Sequence, residues 1–571
     1  MLSCVGKLFT AVLNDRVTRY LDAVGGIGDE QAGFRQGHST VDHIFALHAI
    51  LNVYLAAGKR VYCAFIDYKK AFDFVDRVSL WNKLISTGVN GKLLVVIHNM
   101  YKSAKSCVKV EDKISDYFSC NVGVRQGENL SPLLFSIFLN DFEFSVSRKY
   151  NGLSFLSGEI SDSLSDDDVE HFLKIYVLLY ADDTIVLAES AEELQKALDA
   201  VYEYCNNWML TVNISKTKVV IFSNGKVTVF PAFLFGHDII EVVYEYVYLG
   251  VKFVYNASFL PSINKQVMQA KRAFYALMNK IRSMRLPVDL SIQLFDQLVM
   301  PVMLYGCEVW GYSDINQIEI LHRKFLKQIL NVHTNTPSVM IHGETGTVPI
   351  GVIVVSRMVT YFARLCNGKQ TKLSYILYKV LRKKHENDSS DFFSPWIDKV
   401  KSSLCNLGMR DMWLNECMGF SVEYVKNAVK LRLMDVHKQE WSDVLENSSS
   451  CSYYARIKNA HCLEKYLLEL NYKQRCIVSQ FRCRSNYLPV HYTKYQNIDS
   501  QDIFCPFCAV ESVDESHFLL HCPFFGTERT ALVNENVCLD DGIYDSIENL
   551  RKCTSFMDFI MRECKDILTT L

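Results

Sequence analysis

The chain has 571 residues, with 61 Lys and Arg against 63 Asp and Glu, a formal net charge of −2. Hydrophobic side chains make up 49% and charged ones 22%, with 26 glycines and 11 prolines, which excludes collagen-like, low-complexity and generally disordered chains. At about 150 residues per domain the length allows three or four compact units with sizeable cores. No apolar run approaches the roughly 20 residues of a membrane span; the best, residues 348–355, is closed by Ser356 and Arg357. The expectation is a soluble, intracellular protein, and the near-zero charge alone points to no polyanionic partner. The 19 cysteines are scattered, so a disulfide framework is not expected.

The first half alternates apolar bursts with polar breaks, which predicts mixed α and β structure. Residues 61–66 (VYCAFI) read as a buried strand ending at Asp67, and residues 68–72 are compatible with a helix. Ser131 and Pro132 form a helix start, Ser as cap and Pro at the first helical position, with Leu134, Phe138 and Phe142 on one apolar face. The acidic stretch 158–170 reads as a solvated loop. Residues 173–180 and 184–187 are two strand runs separated by Ala181, Asp182 and Asp183, a hairpin with carboxylates at its tip. Ser190 and Glu193 have capping-box spacing, and Leu194, Leu198, Val201 and Cys205 mark the core face of the next helix. From about residue 260 the pattern is mostly helical. The linker candidates are residues 382–395 and 447–450.

Asp67 follows one buried strand, and Asp182 and Asp183 sit in the turn of another pair. Alone, each reads as an ordinary cap or turn residue. Together they suggest strands that deliver carboxylates to one sheet edge, although Asp67 and Asp182 are 115 positions apart. Hard oxygen donors of this kind suit Mg²⁺. Two such ions about 3.5–4 Å apart can promote an in-line displacement at phosphorus. The residues by themselves therefore suggest metal-dependent phosphoryl or nucleotidyl transfer.

Residues 65–73 (FIDYKKAFD) resemble motif A of reverse transcriptases, 123–132 (GVRQGENLSP) motif B and 180–183 (YADD) motif C. Residues 31–40 (QAGFRQGHST) resemble the fingers motif of the same enzymes, 210–218 (LTVNISKTK) motif D and 248–250 (YLG) the primer-grip motif E. The ordered set, with 304–311 (LYGCEVWG) downstream, is similar to LINE-type non-LTR retrotransposons. The resemblance implies an RNA-directed DNA polymerase in which Asp67, Asp182 and Asp183 hold two Mg²⁺ ions, Mn²⁺ being a substitute. Arg35 would clamp the incoming triphosphate, and Phe72 would be the steric gate that favours deoxynucleotides. Gln126 and Gly127 would line the nucleotide pocket, and either Lys216 or Lys218 would be the motif D lysine. Asp73 and Asp76 read as solvated or capping residues, and Arg125 as a surface ion-pair partner.

Between Phe259 and Val288 there are no acidic residues, but Lys265, Lys271, Arg272, Lys280, Arg282 and Arg285 are present. They read either as a solvated helix face or, at the family's thumb position, as a stripe following the template–primer backbone. Cys505, Cys508, His517 and Cys522 have the spacing C-x₂-C-x₈-H-x₄-C, which suits a closed tetrahedral Zn²⁺ site, with His521 as an alternative ligand. The pattern resembles the C-terminal zinc-binding segment of LINE-type elements. Lys473, Arg475, Arg482 and Arg484 are expected to add positive charge beside it.

The expected fold is α+β, a right-hand polymerase. Residues 1–255 would form fingers and palm with an antiparallel palm sheet, 256–365 a helical thumb, 366–470 a helical connector and 471–571 a zinc-knuckle region. The first residues resemble the interior of the first family motif, so the expectation is an N-terminally truncated element without an endonuclease domain. Expected partners are an RNA template, a DNA primer or target DNA and dNTPs, with no membrane, in a ribonucleoprotein of nucleus and cytoplasm. The competing readings are an inactive nucleic-acid-binding remnant and a maturase-like RNA-binding protein.

Overall fold

The computed structural model describes residues 4–28, 33, 35, 37–102, 104–154, 174–175, 177–180, 183–387, 392–486, 488, 504–510, 515–535, 537, 539, 541–544 and 546–570. Helices α1 (Cys4–Val24) and α2 (Thr40–Ala56) precede strand β1 (Val61–Ile66). Helices α3 (Arg77–Ser86), α4 (Gly91–Lys102), α5 (Ser131–Phe138) and α6 (Phe142–Ser147) follow. Then come hairpin β2 (Val177–Tyr180) and β3 (Asp183–Ala188), helix α7 (Ala191–Asn207), and strands β4 (Lys218–Phe222), β5 (Phe233–Phe235) and β6 (Asp238–Val243). These strands form one sheet in the order β5-β6-β4-β1-β3-β2. The central strand β1 is antiparallel to both β4 and β3, and only β4 and β6 pair in parallel. A separate hairpin, β7 (Glu245–Tyr248) and β8 (Val251–Val254), turns at Leu249 and Gly250.

Because side chains alternate along a strand, the sheet has two apolar faces and both are covered. Ala64, Ile66, Val186, Ala188, Val219 and Ile221 pack with α5, α6 and α7. Val61, Cys63, Phe65, Ile185, Leu187, Val220 and Phe222 pack with α2 and with helices that come after the sheet. From Leu260 onward the named elements are helical, as expected. The longer ones begin with α8 (Leu260–Met284), α9 (Val288–Leu298), α10 (Asn316–Leu330) and α11 (Ser338–Thr345). They continue through α12 (Ile350–Cys366), α13 (Leu373–Glu386), α14 (Pro395–Asn406), α15 (Val422–Asn447), α16 (Tyr472–Arg482) and α17 (Ile547–Thr570). One core holds Phe65, Phe274, Trp310, Tyr361, Trp396 and Val478, so it runs through positions 255, 365 and 470. A smaller one gathers Phe481, Cys505, Phe518, Cys522, Phe525 and Ile560. Among the described residues no single helix is long and apolar enough to cross a membrane.

Several local expectations need correction. Ser131 is the first helical residue and Leu130 the cap; the Ser131 hydroxyl is occupied 2.6 Å from the Arg125 carbonyl. Leu134, Phe138 and Phe142 are all buried, but the chain breaks at Leu139 and puts Phe142 on a second helix. Ser190 does accept from the Glu193 N–H, while the Glu193 carboxylate takes the Asn151 N–H and the Lys196 ammonium instead of closing the box. Of the first linker candidate, residues 382–386 are helical, with Arg382 stacked over Trp413 and paired with Glu416 at 2.7 Å, and Pro395 opens α14; residues 388–391 lie outside the described residues. In the second, Asn447 ends α15 and Ser449–Cys451 form a 3₁₀ turn. The acidic stretch 158–170 lies outside the described residues.

Candidate active site and metal-binding cluster

Cross-strand register brings the carboxylates together. Ile66 faces Thr184 across the antiparallel pair β1–β3, so the next pair out is Asp67 and Asp183. Both fall on the sheet face of Phe65 and Ile185, the face turned toward the later helices. Asp182 lies outside the described residues. The Asp67 N–H donates to the Thr217 hydroxyl at 3.2 Å and its carbonyl accepts from the Asn213 N–H at 2.7 Å, so motif D residues hold the end of β1. Lys216 Nζ stands 3.7 Å from Asp67 Oδ2. Lys218 is on β4 opposite Phe65 and pairs with Glu241 at 2.8 Å. Of the two candidate lysines, Lys216 is therefore the one at the carboxylates.

Tyr246, which no motif pointed to, stacks on Phe65 at 4.3 Å between ring centroids. Burial, then Asp183, then Asp67, push its phenol up to about 12. The two carboxylates at this edge supply hard oxygen donors of the kind that suit hard cations. The signal for Tyr246 is a stacked partner 181 positions away in sequence, which local periodicity does not carry.

Motif B is tied to motif A by main chain. The N–H of Gly123 donates to the Val75 carbonyl and that of Val124 to the Phe72 carbonyl. Gly123 has φ +78°, and a Cβ there would stand 2.4 Å from the Asp73 carbonyl oxygen, so only glycine permits the approach. Arg77 fixes the same turn by donating to the carbonyls of Tyr101, Cys120, Val122 and Gly123. Phe72 is half-buried and stacked on Phe135 at 4.8 Å. Gln126 Nε2 donates to Asp73 at 2.8 Å, and Gly127 has φ +79° with open space where a Cβ would go. Asp73 is thus a hydrogen-bond acceptor for Gln126, and Asp76 caps α3 through the Ser79 N–H. Arg125 pairs with the buried Glu128 at 3.7 Å. Arg35 donates to the Gly28 carbonyl at 2.7 Å, in the loop that leads into α2.

On α8, Lys271, Arg272, Lys280, Arg282 and Arg285 are exposed and Lys265 is half-exposed, while Ala270, Phe274, Leu277 and Ile281 are buried. None of the six cations pairs with a described carboxylate. The expected charge next to the cysteine cluster is a different matter. Arg482 is buried against Glu344 at 3.1 Å, Arg484 pairs with the fully buried Glu515, and Arg475 donates to the Leu286 carbonyl. Lys473 pairs with Asp558 at 2.8 Å. Arg475 and Arg482 tie the C-terminal region to earlier parts of the chain, while Lys473 and Arg484 are paired with carboxylates inside that region.

Cys505, Cys508, His517 and Cys522 converge, with every ligand atom within 4.8 Å of the others. Sγ atoms of Cys505 and Cys522 are 3.8 Å apart, and Cys508 Sγ is 3.5 Å from His517 Nε2. These spacings suit four donors about 2.0–2.3 Å from one tetrahedral ion. His521 is exposed and outside the group. Burial pushes the Cys505 thiol up to about 12 and raises Cys522, so a cation is needed to hold them as thiolates. Arg529 donates to the carbonyls of Phe518, Leu519 and Cys522 and fixes the helical turn between two of the ligands.

Residues 1–253 match the family described as reverse transcriptase (RNA-dependent DNA polymerase). The RNA-directed DNA polymerase from mobile element jockey of Drosophila funebris is 26% identical over 337 residues, 58% of this chain and 35% of that protein. The Pol polyprotein from type-1 element R2 of Nasonia vitripennis is 27% identical over 193 residues, 34% of this chain and 17% of its own length. The chain thus spans about a third of the length of the jockey relative. Among solved structures, apo telomerase from Candida tropicalis aligns at 12% identity with a TM-score of 0.34, over 65% of this chain and 61% of that one.

Proposed function

We propose, from the match of residues 1–253 to the reverse transcriptase family, that the chain is the RNA-directed DNA polymerase of a LINE-type, non-LTR retrotransposon. The observation that carries the reading is the β1–β3 register, which sets Asp67 opposite Asp183 at one sheet edge. Asp67, Asp182 and Asp183 would hold two Mg²⁺ ions, with Mn²⁺ as a substitute; carboxylate oxygens brought to one sheet edge fit such ions. When bound, such ions lower the cost of deprotonating a primer 3′-hydroxyl and neutralise charge on the departing pyrophosphate.

The protein's own groups do the rest. Phe72, braced on Phe135, occupies the space a ribose 2′-hydroxyl would need and so selects deoxynucleotides. Arg35 grips the triphosphate, a task for which a guanidinium fork is suited. Lys216 supplies a positive charge and a proton donor beside Asp67, where pyrophosphate leaves. Gln126 and Gly127 line the pocket. The exposed cations of α8 take template–primer phosphates without regard to sequence. The Cys505, Cys508, His517 and Cys522 cluster holds a structural Zn²⁺. The partners are an RNA template, a DNA primer or target strand and dNTPs, in a ribonucleoprotein of nucleus and cytoplasm. Residues 1–255 serve as fingers and palm, 256–365 as thumb, 366–470 as connector and 471–571 as knuckle region.

Primer extension on an RNA template tests this. Purified protein with Mg²⁺ and dNTPs extends the primer, and Asp67→Asn does not. A wild-type protein that fails to extend, or an Asp67→Asn variant as active as wild type, refutes the reading.

A further inference from the structure

Tyr305 lies between two short helices, Met300–Met303 and Cys307–Trp310, and has no assigned part in the chemistry. Its carbonyl accepts from Gln266 Nε2 of α8 and from Trp310 Nε1, each at 2.9 Å, which fixes its backbone. From there the side chain reaches two other elements. Its ring lies against Gly250, where φ is +82° and a Cβ would stand 3.0 Å from Tyr305 Cε1. Its hydroxyl is 3.0 Å from the Leu249 carbonyl and 3.1 Å from Thr40 Oγ1. A carbonyl only accepts, so the phenol proton goes to Leu249 and the Thr40 hydroxyl can donate its own to the phenol oxygen.

The two groups joined in this way belong to opposite sides of the proposed reaction. Leu249, with φ +44°, and Gly250 form the two-residue turn of β7–β8, the hairpin that carries Tyr246 beside the carboxylates. Thr40 is the first residue of α2, five positions after Arg35. Two described residues between them, Gly37 and Ser39, are held in place. Asp42 takes the Ser39 N–H at 3.0 Å and the Tyr361 hydroxyl at 3.1 Å, and the Lys372 ammonium donates to the Gly37 carbonyl.

We propose that Tyr305 is a positioning residue that couples the nucleotide-clamping loop to the primer-side turn, so that nucleotide and primer each tighten the other's binding. The inference rests on the polymerase reading. An in-line displacement is sensitive to alignment, a 1 Å misplacement costing about 10²-fold. A rigid phenol touching both elements makes their separation a property of one ring instead of two independent loops. Coupling of this kind is reciprocal by thermodynamic necessity.

The test uses a dideoxy-terminated primer on an RNA template, with primer–template dissociation measured with and without the next complementary dNTP. In wild type the dNTP slows dissociation by on the order of tenfold. Tyr305→Phe, which keeps the ring against Gly250, and Thr40→Val each bring that ratio below about threefold, and the double variant goes no lower than the singles. Melting temperatures are read alongside. A variant that melts lower yet keeps the wild-type ratio assigns Tyr305 a structural role only and overturns the coupling. So does a double variant whose losses add, or a wild-type protein that extends primers without any dNTP effect on dissociation. Absence of wild-type extension on an unblocked primer refutes the polymerase reading itself, and the coupling falls with it.

Discussion

The two metal-type constellations are built on opposite plans. At the sheet edge Asp67 and Asp183 are half-exposed, and the cation beside Asp67, Lys216, is itself largely exposed. In the C-terminal region four donors face one another with three of the four residues buried, and no substrate is needed to complete the set. An open site leaves coordination positions for the reactants, whereas a closed one spends them all on the fold. The contrast predicts opposite phenotypes: the first site can be destroyed without unfolding the chain, and the second cannot.

The largest effect is expected at the closed site. Cys522→Ser, or a strong chelator, releases one equivalent of zinc and removes about 10 kcal/mol of local folding free energy. Residues 504–570 then become sensitive to limited proteolysis while the sheet region stays resistant. Zinc loss with an unchanged digestion pattern would break the contrast from that side. At the open site, Asp183→Asn lowers the single-turnover extension rate by roughly 10³-fold with little change in melting temperature. A variant that melts well below wild type would mean the carboxylates serve the fold after all.

Lys216 and Lys218 sharpen the picture within the open site. Lys216→Ala costs roughly 10²-fold in rate as the loss of a proton donor. Lys218→Ala removes a surface pair with Glu241 worth about 1 kcal/mol or less, and leaves the rate near wild type. Equal effects would reassign the lysine. The smallest effect belongs to α8, where Lys271→Gln with Arg272→Gln lowers the log–log salt slope of template–primer binding by about 1 to 2. An unchanged slope would return these residues to plain solvation.

Much of the carboxylate edge was legible in the sequence because its signals are local. The buried run 61–66, the β2–β3 hairpin and the core face of α7 each follow from period 2 or 3.6 within a dozen residues. The spacing of the four zinc-type donors was equally local. What stayed hidden depends on partners far along the chain. Nothing near Arg482 announces Glu344, 138 positions earlier, so a buried ion pair was read as open positive charge. The choice between Lys216 and Lys218 required the β1–β4 register, and Tyr246 required knowing what covers Phe65. Ser131 was misplaced by one position because two nearby polar groups compete for its hydroxyl.

The sheet face that carries Asp67 and Asp183 has a bearing on modularity. Val61, Cys63, Phe65, Ile185, Leu187, Val220 and Phe222 share one core with α2 and with residues as distant as Phe274, Trp310 and Tyr361. The stretch that matches the family ends at residue 253, before any of those three distant residues. A fragment cut there would keep α2 but expose apolar side chains that the later helices cover, among them Phe45, which Tyr361 and Trp396 meet edge-on, and would aggregate. A chimera bearing a different C-terminal half would work only if the new helices fitted the same apolar surface. The core behind the strand that ends at Asp67 is therefore co-owned by both halves of the chain, and the two must vary together.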